Sequence, residues 1–231
     1  AHNPNTPKPR ISDWHYQAYG QSSLSTDAQS AGQVLIDLGD EDTILLMGAP
    51  LTNFRTALRL ATEQKHKLNI GKIVVQGGFA GEGVVPSHLQ LEKFKGKSAV
   101  PSHNLIGDSK ATQKILDYQP QKGKYFVSKN VCHRVIYDRE LHQLVNAKRS
   151  QNQALDLIWQ GMETYFTINP DGKMLHDPLA ACCAIDPDIA KWREVEIFKE
   201  GNAYGANISN NSNTHIPMSY TLSGLNNNNS G

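Results

Sequence analysis

The sequence predicts an α/β fold whose mainly parallel sheet is flanked by helices, and three observations carry that prediction. Two runs, TILLMG and KIVVQGG, are apolar at consecutive positions, as strands buried on both faces are. Between and after them lie longer stretches with apolar residues at helical spacing. The two kinds of segment alternate along the chain, which is the pattern of a parallel sheet with crossover helices.

The elements follow in order. AHNPNTPKPR is Pro-rich and reads as irregular. WHYQAYGQSS, aromatic and polar, reads as a loop. Residues 1–20 and 222–231 are therefore expected to be irregular ends of a single domain spanning 1–231. DAQSAGQVLIDLG has Val34, Leu35 and Leu38 at helical spacing, and Gly39 stops it. TILLMG then forms a buried strand. LTNFRTALRLATEQKHK forms a helix with Leu51, Phe54, Leu58 and Leu60 or Ala61 on one face. KIVVQGG is a second buried strand, and residues 79–105 read as a long irregular stretch. Asp108 caps the helix DSKATQKILDY, which turns Ile115 and Leu116 inward. KYFVS is a third short strand. DRELHQLVNAKR and NQALDLIWQGMETYF are amphipathic helices. EVEIF alternates and reads as a strand near a sheet edge. LNNNNSG is low in complexity and reads as disordered.

Length and composition bound the function. A chain of 231 residues suits one domain or at most two small ones. Hydrophobic residues at 39% and charged residues at 19% are those of a soluble globular protein. A net charge of +1 gives no electrostatic footprint for nucleic acid or an acidic membrane surface. No apolar run approaches the ~20 residues of a membrane span, and no signal-peptide pattern opens the chain. Three cysteines, two of them adjacent (Cys182 and Cys183), favour reduced thiols and a cytoplasmic protein. A secreted alternative stays open, because Asn207-Ile-Ser, Asn210-Asn-Ser and Asn228-Asn-Ser fit the N-glycosylation acceptor pattern.

In open α/β sheets, ligands sit beyond the carboxyl ends of the strands. That selects the turns after TILLM, KIVVQ and KYFVS, and any helix start aimed at the same crevice. MLHDPLAACCAID, residues 174–186, contains such a start. Asp177 reads as the N-cap and Pro178 as the first helical residue, with Leu179, Ala180, Cys182 and Cys183 buried behind them. In the plainer reading Asp177 only caps and His176 only precedes it. In the sharper one Asp177 faces a cation and His176 a substrate.

MLHDPLAACCAIDP closely resembles the HDPLA stretch of the nucleoside hydrolases, which cleave the N-glycosidic bond of ribonucleosides. TILLMGAPLTNFRTALRL resembles that family's strand, G-P-L-T-N turn and helix. KIVVQGGFAGEG is similar to its V-V-M-G-G strand and loop, and SHNLIGDSKATQKIL to its E-F-N-x-x-x-D-x-x-A-A stretch. The blocks stand in the family's order. The resemblance implies a Rossmann-like open sheet and hydrolysis of ribonucleosides to ribose and free base through an oxocarbenium-like state. It implies Ca²⁺, which orients a water and modestly lowers its pKa. It makes His176 the acid that helps the base depart, with a proton to give near neutral pH. It makes Asp177 and the Gly48 carbonyl Ca²⁺ ligands, and Asn104 a partner of the ribose hydroxyls. Glu82 is the nearest counterpart of a family asparagine. The aromatic loop with Trp14, His15, Tyr16 and Tyr19, and also Tyr165, are candidates for the walls of a nucleobase pocket. The implied partner is a small-molecule ribonucleoside, and a homo-oligomer is open.

The sequence also departs from the family pattern. Gly48 stands where threonine is usual, a change that a backbone carbonyl ligand survives. Ser102-His103 replace Glu-Phe and remove a carboxylate contact to the sugar, and Gln76 replaces a methionine. HLQLEKFKGKSAVP is an apparent insertion, either a solvated loop or a lid. The family's opening D-x-D-x-G-x-D-D, which carries further Ca²⁺ carboxylates and the general base, has no counterpart, so the single domain of 1–231 reads as N-terminally incomplete against the family, and IDLGDEDT reads as a solvated acidic turn. A non-catalytic nucleoside- or sugar-binding protein on the same fold is therefore the alternative function. Two other pairs read as inert. Cys132 and His133, neighbours on an expected strand, point to opposite faces, and Asp138 and His142 form a surface pair on a helix.

Overall fold

The computed structural model describes residues 12–21, 23 and 25–221. The Pro-rich opening and the LNNNNSG tail lie outside the described residues. In chain order the helices and strands are α1 Asp13–Tyr19, α2 Ala31–Leu38, β1 Ile44–Met47, α3 Thr52–Glu63, β2 Lys72–Gln76, β3 Ala99–Val100, α4 His103–Ile106, α5 Ser109–Asp117, β4 Lys124–Val127, α6 Lys129–Cys132, β5 Ile136–Tyr137, α7 Arg139–Lys148, α8 Gln153–Ile168, β6 Lys173–Met174, α9 His176–Ile185, β7 Ala190–Glu200, β8 Ala203–Ile208 and β9 Thr214–Tyr220. They fall into two compact units. One comprises Gln29–His133 and the chain from His176 onward; the other comprises the described parts of Pro7–Ala28 and Arg134–Leu175.

The larger unit holds a seven-stranded sheet in the order β1-β2-β4-β9-β7-β8-β3. β1, β2, β4 and β9 pair in parallel, while β7, β8 and β3 continue the sheet in antiparallel fashion. The expected α/β class with a parallel sheet is thus present. KIVVQ is buried on both faces, with Ile73, Val74 and Val75 fully inaccessible, which is why its apolar residues are consecutive. α3 turns Phe54, Ala57 and Ala61 onto the sheet and α5 turns Ala111 and Ile115 the same way. As expected, Asp108 caps α5, accepting a hydrogen bond from the Ala111 N–H at 3.0 Å. The same buried carboxylate accepts from Thr52 Oγ1 at 3.0 Å and from Arg55 at 2.8 Å, tying α5 to α3.

Several expectations are corrected. TILLM is not buried on both faces: β1 stands at the sheet margin with Ile44 and Leu46 exposed, because among the described residues it pairs only with β2. EVEIF lies within β7, which is interior and bonds to β9 and β8, so it is not near an edge. β9 gives little sequence signal because Pro217 interrupts it; Pro217 sits beside a register shift at Lys191/Trp192, where a missing N–H is tolerated. Residues 79–105 are not wholly irregular, since they include β3, which pairs with β8. Leu38 ends α2 exposed, and Ile36 is buried instead. IDLGDEDT does close in a turn, with Asp40 Oδ1 accepting from the Thr43 N–H at 2.7 Å.

In the smaller unit the aromatic segment expected as a loop is helix α1. It packs on α8: Tyr19 donates from its hydroxyl to the Leu157 carbonyl at 2.7 Å. Gly161 makes the approach feasible, since a Cβ there would lie 2.0 Å from the Tyr19 oxygen. α7 and α8 enclose Tyr137, Met162 and Phe166. Asp138 and His142 do not pair as expected. Asp138 caps α7 by accepting from Leu141 N–H, and His142 faces Glu163 at 2.6 Å.

The Asp108 junction generates a stability prediction. Burial alone would raise its pKa, but the Ala111, Arg55 and Thr52 donors outweigh it and hold the carboxyl below its ordinary value. A depressed carboxyl pKa stabilises the fold above its unfolded value, and that stabilisation is lost as pH falls through the folded value. Asp108→Ala should destabilise the protein by roughly 2–4 kcal/mol at pH 7, the sum expected for a cap and charged hydrogen bonds. The gap between variant and wild type in urea unfolding should narrow below about pH 4.

Candidate active site

In the larger unit the carboxyl ends of β1, β2 and β4 open onto the start of α9, which packs against all three strands. Leu179, Ala180 and Cys183 anchor that helix in the interior. Cys182 is exposed rather than buried, because it lies on the outer side of the helix. The helix begins at His176, so Asp177 and Pro178 lie within its first turn, and Asp177 is not the residue before it. Asp177 is exposed and His176 half-buried, both at the crevice.

Each strand end adds a part. β1 runs into Gly48, whose α-carbon faces the Asp177 carboxylate so closely that a Cβ would lie 3.0 Å from Oδ1. β2 ends in Gly77 and Gly78, with φ of 145° and 84°, a conformation that favours glycine. The buried Ser102 accepts from the Gly78 N–H through its Oγ at 3.0 Å. Asn104 donates from its amide nitrogen to the Gln76 backbone carbonyl at 3.0 Å and to Gln76 Oε1 at 2.9 Å. Gln76 in turn donates to Cys132 Sγ at 3.7 Å. β4 ends at Val127, and the short α6 that follows delivers Cys132 and then His133. The His133 ring stacks on His176 with centroids 5.0 Å apart and planes 23° apart.

These two residues correct an expectation. Cys132 and His133 are not on a strand with opposed side chains. They leave a helical turn together, and their ligand-type atoms and one of His176 all lie within 4.8 Å of one another. Sequence reasoning placed neither at the crevice; the signal was the end of the KYFV run at Ser128, which leaves room for a turn before them. Lys93 was missed as well. The apparent insertion carries it to His133, where its ammonium donates to Nδ1 at 2.8 Å. Burial, followed by the charges of Lys93 and His176, lowers the His133 pKa to about 4, so the ring is neutral at pH 7. Burial pushes the Cys132 thiol up to about 12, which keeps it protonated and weakly nucleophilic.

Three candidates remain. Glu82 is exposed on the turn after Gly81. His15 and Tyr165 belong to the smaller unit, where Trp14 stacks on His15 at 3.6 Å and meets Tyr165 edge-on at 5.3 Å.

A model of the inosine-uridine preferring nucleoside hydrolases matches residues 4–227. The chain belongs to the inosine-uridine preferring nucleoside hydrolase family. Its fold is similar to that of a purine-preferring ribonucleoside hydrolase from Gardnerella vaginalis, with TM-score 0.64 and 17% identity over 95% of this chain and 73% of that one. An inosine-uridine preferring nucleoside hydrolase from Bacillus anthracis gives TM-score 0.61 and 18% identity, over 95% and 74%. A plant nucleoside hydrolase gives TM-score 0.61 and 17% identity, over 92% and 71%. No curated protein matches the sequence. At these identities the likeness is one of fold, and it agrees with the nucleoside hydrolase fold that HDPLA and its companion blocks imply.

In an NMR titration His133 should stay neutral well below the ordinary histidine range, with a midpoint near pH 4. Lys93→Met should move that midpoint upward, because it removes a cation that opposes protonation.

Proposed function

We propose that this chain hydrolyses the N-glycosidic bond of ribonucleosides with Ca²⁺ assistance, using the crevice formed by Gly48, Asn104, His176 and Asp177. The observation that carries the reading is the close approach of the Asp177 carboxylate to Gly48, with His176 beside it on the same helical turn. Asp177 and the Gly48 carbonyl offer hard oxygen donors, the kind Ca²⁺ takes, so the residues fit the ion as part of a larger oxygen set. When bound, Ca²⁺ would hold the ribose diol and lower the pKa of a water.

The chain's own residues perform the other tasks. Anchored by Leu179, Ala180 and Cys183, α9 fixes where Asp177 and His176 stand relative to the strand ends. His176 gives a proton to the departing base, which leaves as a neutral molecule while the C–N bond breaks. Both amide protons of Asn104 are engaged by Gln76, so its Oδ1 is the atom offered to a ribose hydroxyl. Glu82, His15 and Tyr165 remain further candidates for substrate contact.

A second reading, nucleoside or sugar binding without turnover, draws support from Ser102. Where the family resemblance implies a glutamate to the sugar, this chain has a serine whose oxygen is committed to the Gly78 N–H. Ribose release from inosine and uridine separates the two. Hydrolysis predicts release that stops on chelation and in Asp177→Ala. His176→Ala should lower kcat by about 10²–10⁴-fold, the usual worth of a general acid, with KM little changed. Release that persisted in Asp177→Ala would overturn the Ca²⁺ reading. Calorimetric binding of either nucleoside with no release, Ca²⁺ being saturating, would establish the second reading instead.

A further inference from the structure

We propose that Cys132, His133 and His176 form a second cation site in the crevice, selective for a borderline-soft divalent transition metal such as Zn²⁺. Among the described residues this is the group of three His, Cys, Asp or Glu side chains whose ligand atoms converge, all within 4.8 Å of one another. One sulfur and two imidazole nitrogens are the donors that Zn²⁺ and its neighbours prefer, and Ca²⁺ does not take them. From ordinary Zn–S and Zn–N lengths, tetrahedral ligands stand roughly 3.3–3.6 Å apart, so small side-chain rotations close the set. A water would complete it.

The surroundings prepare each ligand. His133 Nδ1 accepts from the Lys93 ammonium at 2.8 Å, so one of its ring nitrogens presents a lone pair to a cation. Lys93 is exposed and free to swing away. Stacking on His133 sets the orientation of the His176 ring. Cys132 is fully buried at the end of α6, and the Gln76 amide fixes its sulfur. On binding, the Cys132 S–H bond breaks, a sulfur–metal bond forms and the proton passes to solvent, with no change of oxidation state.

The site lies beside the Asp177–Gly48 pair and shares His176 with the hydrolysis reading. A ligated His176 cannot protonate a leaving base, so transition metals should inhibit turnover; that consequence rests on the proposed hydrolase, whereas binding does not. The test is therefore optical and needs no nucleoside. Co²⁺ titrated into the full chain should bind one equivalent and give a thiolate-to-metal charge-transfer band. Cys132→Ser, close in size, should abolish the band and weaken Co²⁺ binding at least about tenfold. His133→Gln, at a half-buried position, should weaken binding by a similar factor. Cys182→Ser, which alters the exposed neighbouring thiol, should keep both band and affinity. No band in the wild type, or a band that survives Cys132→Ser or vanishes in Cys182→Ser, overturns the proposal. A Co²⁺ site in a chain that releases no ribose would leave it standing and remove only the hydrolase reading.

Discussion

The crevice depends on the packing of one helix. α9 lies on the ends of β1, β2 and β4, with Leu179, Ala180 and Cys183 turned into the sheet. Burial of a leucine is worth about 1.5–3 kcal/mol, and smaller side chains add less. That modest sum fixes the first turn of α9 so that a Cβ on Gly48 would stand 3.0 Å from Asp177 Oδ1. A polar residue in water has no comparable restraint, because its side chain samples several rotamers. The apolar run after HDP is thus what converts His176 and Asp177 from two exposed polar groups into positioned ones.

Side-chain hydrogen bonds hold the turns that follow β2 and β4. The turn at Gly77 and Gly78 doubles back with φ values suited to glycine, and Ser102 Oγ accepts from the Gly78 N–H. Asn104 closes onto Gln76 at the last residue of β2, and Asn130 closes onto the Ala80 N–H at 3.0 Å. The result is two sets of donors side by side. The Asp177 carboxylate stands against Gly48, and nitrogen and sulfur cluster at Cys132, His133 and His176. Cation choice in such a crevice follows donor hardness more than distance.

What the sequence made legible follows from signal strength. KIVVQ announced itself because its residues are buried on both faces, and DSKATQKIL because Asp108 is both cap and ion-pair partner. The Asp-Pro pair of HDPLA marked the helix start two residues late, at Pro178 where α9 begins at His176. Other parts stayed hidden for physical reasons. β9 combines polar neighbours with a proline at a bulge, so neither period nor composition marks it. α1 gains its packing from α8, a tertiary contact that no local pattern encodes. Cys132 and His133 meet His176 across 43 residues of chain, a distance that adjacency rules do not reach. β1 looked like an interior strand because its apolar residues are consecutive, although Ile44 and Leu46 face outward.

Among the described residues the two margins of the sheet are unequal. At one end β3 offers only two residues, while at the other β1 presents a four-residue ribbon with apolar side chains. A ribbon of that kind is a template for strand addition, and short edges are not.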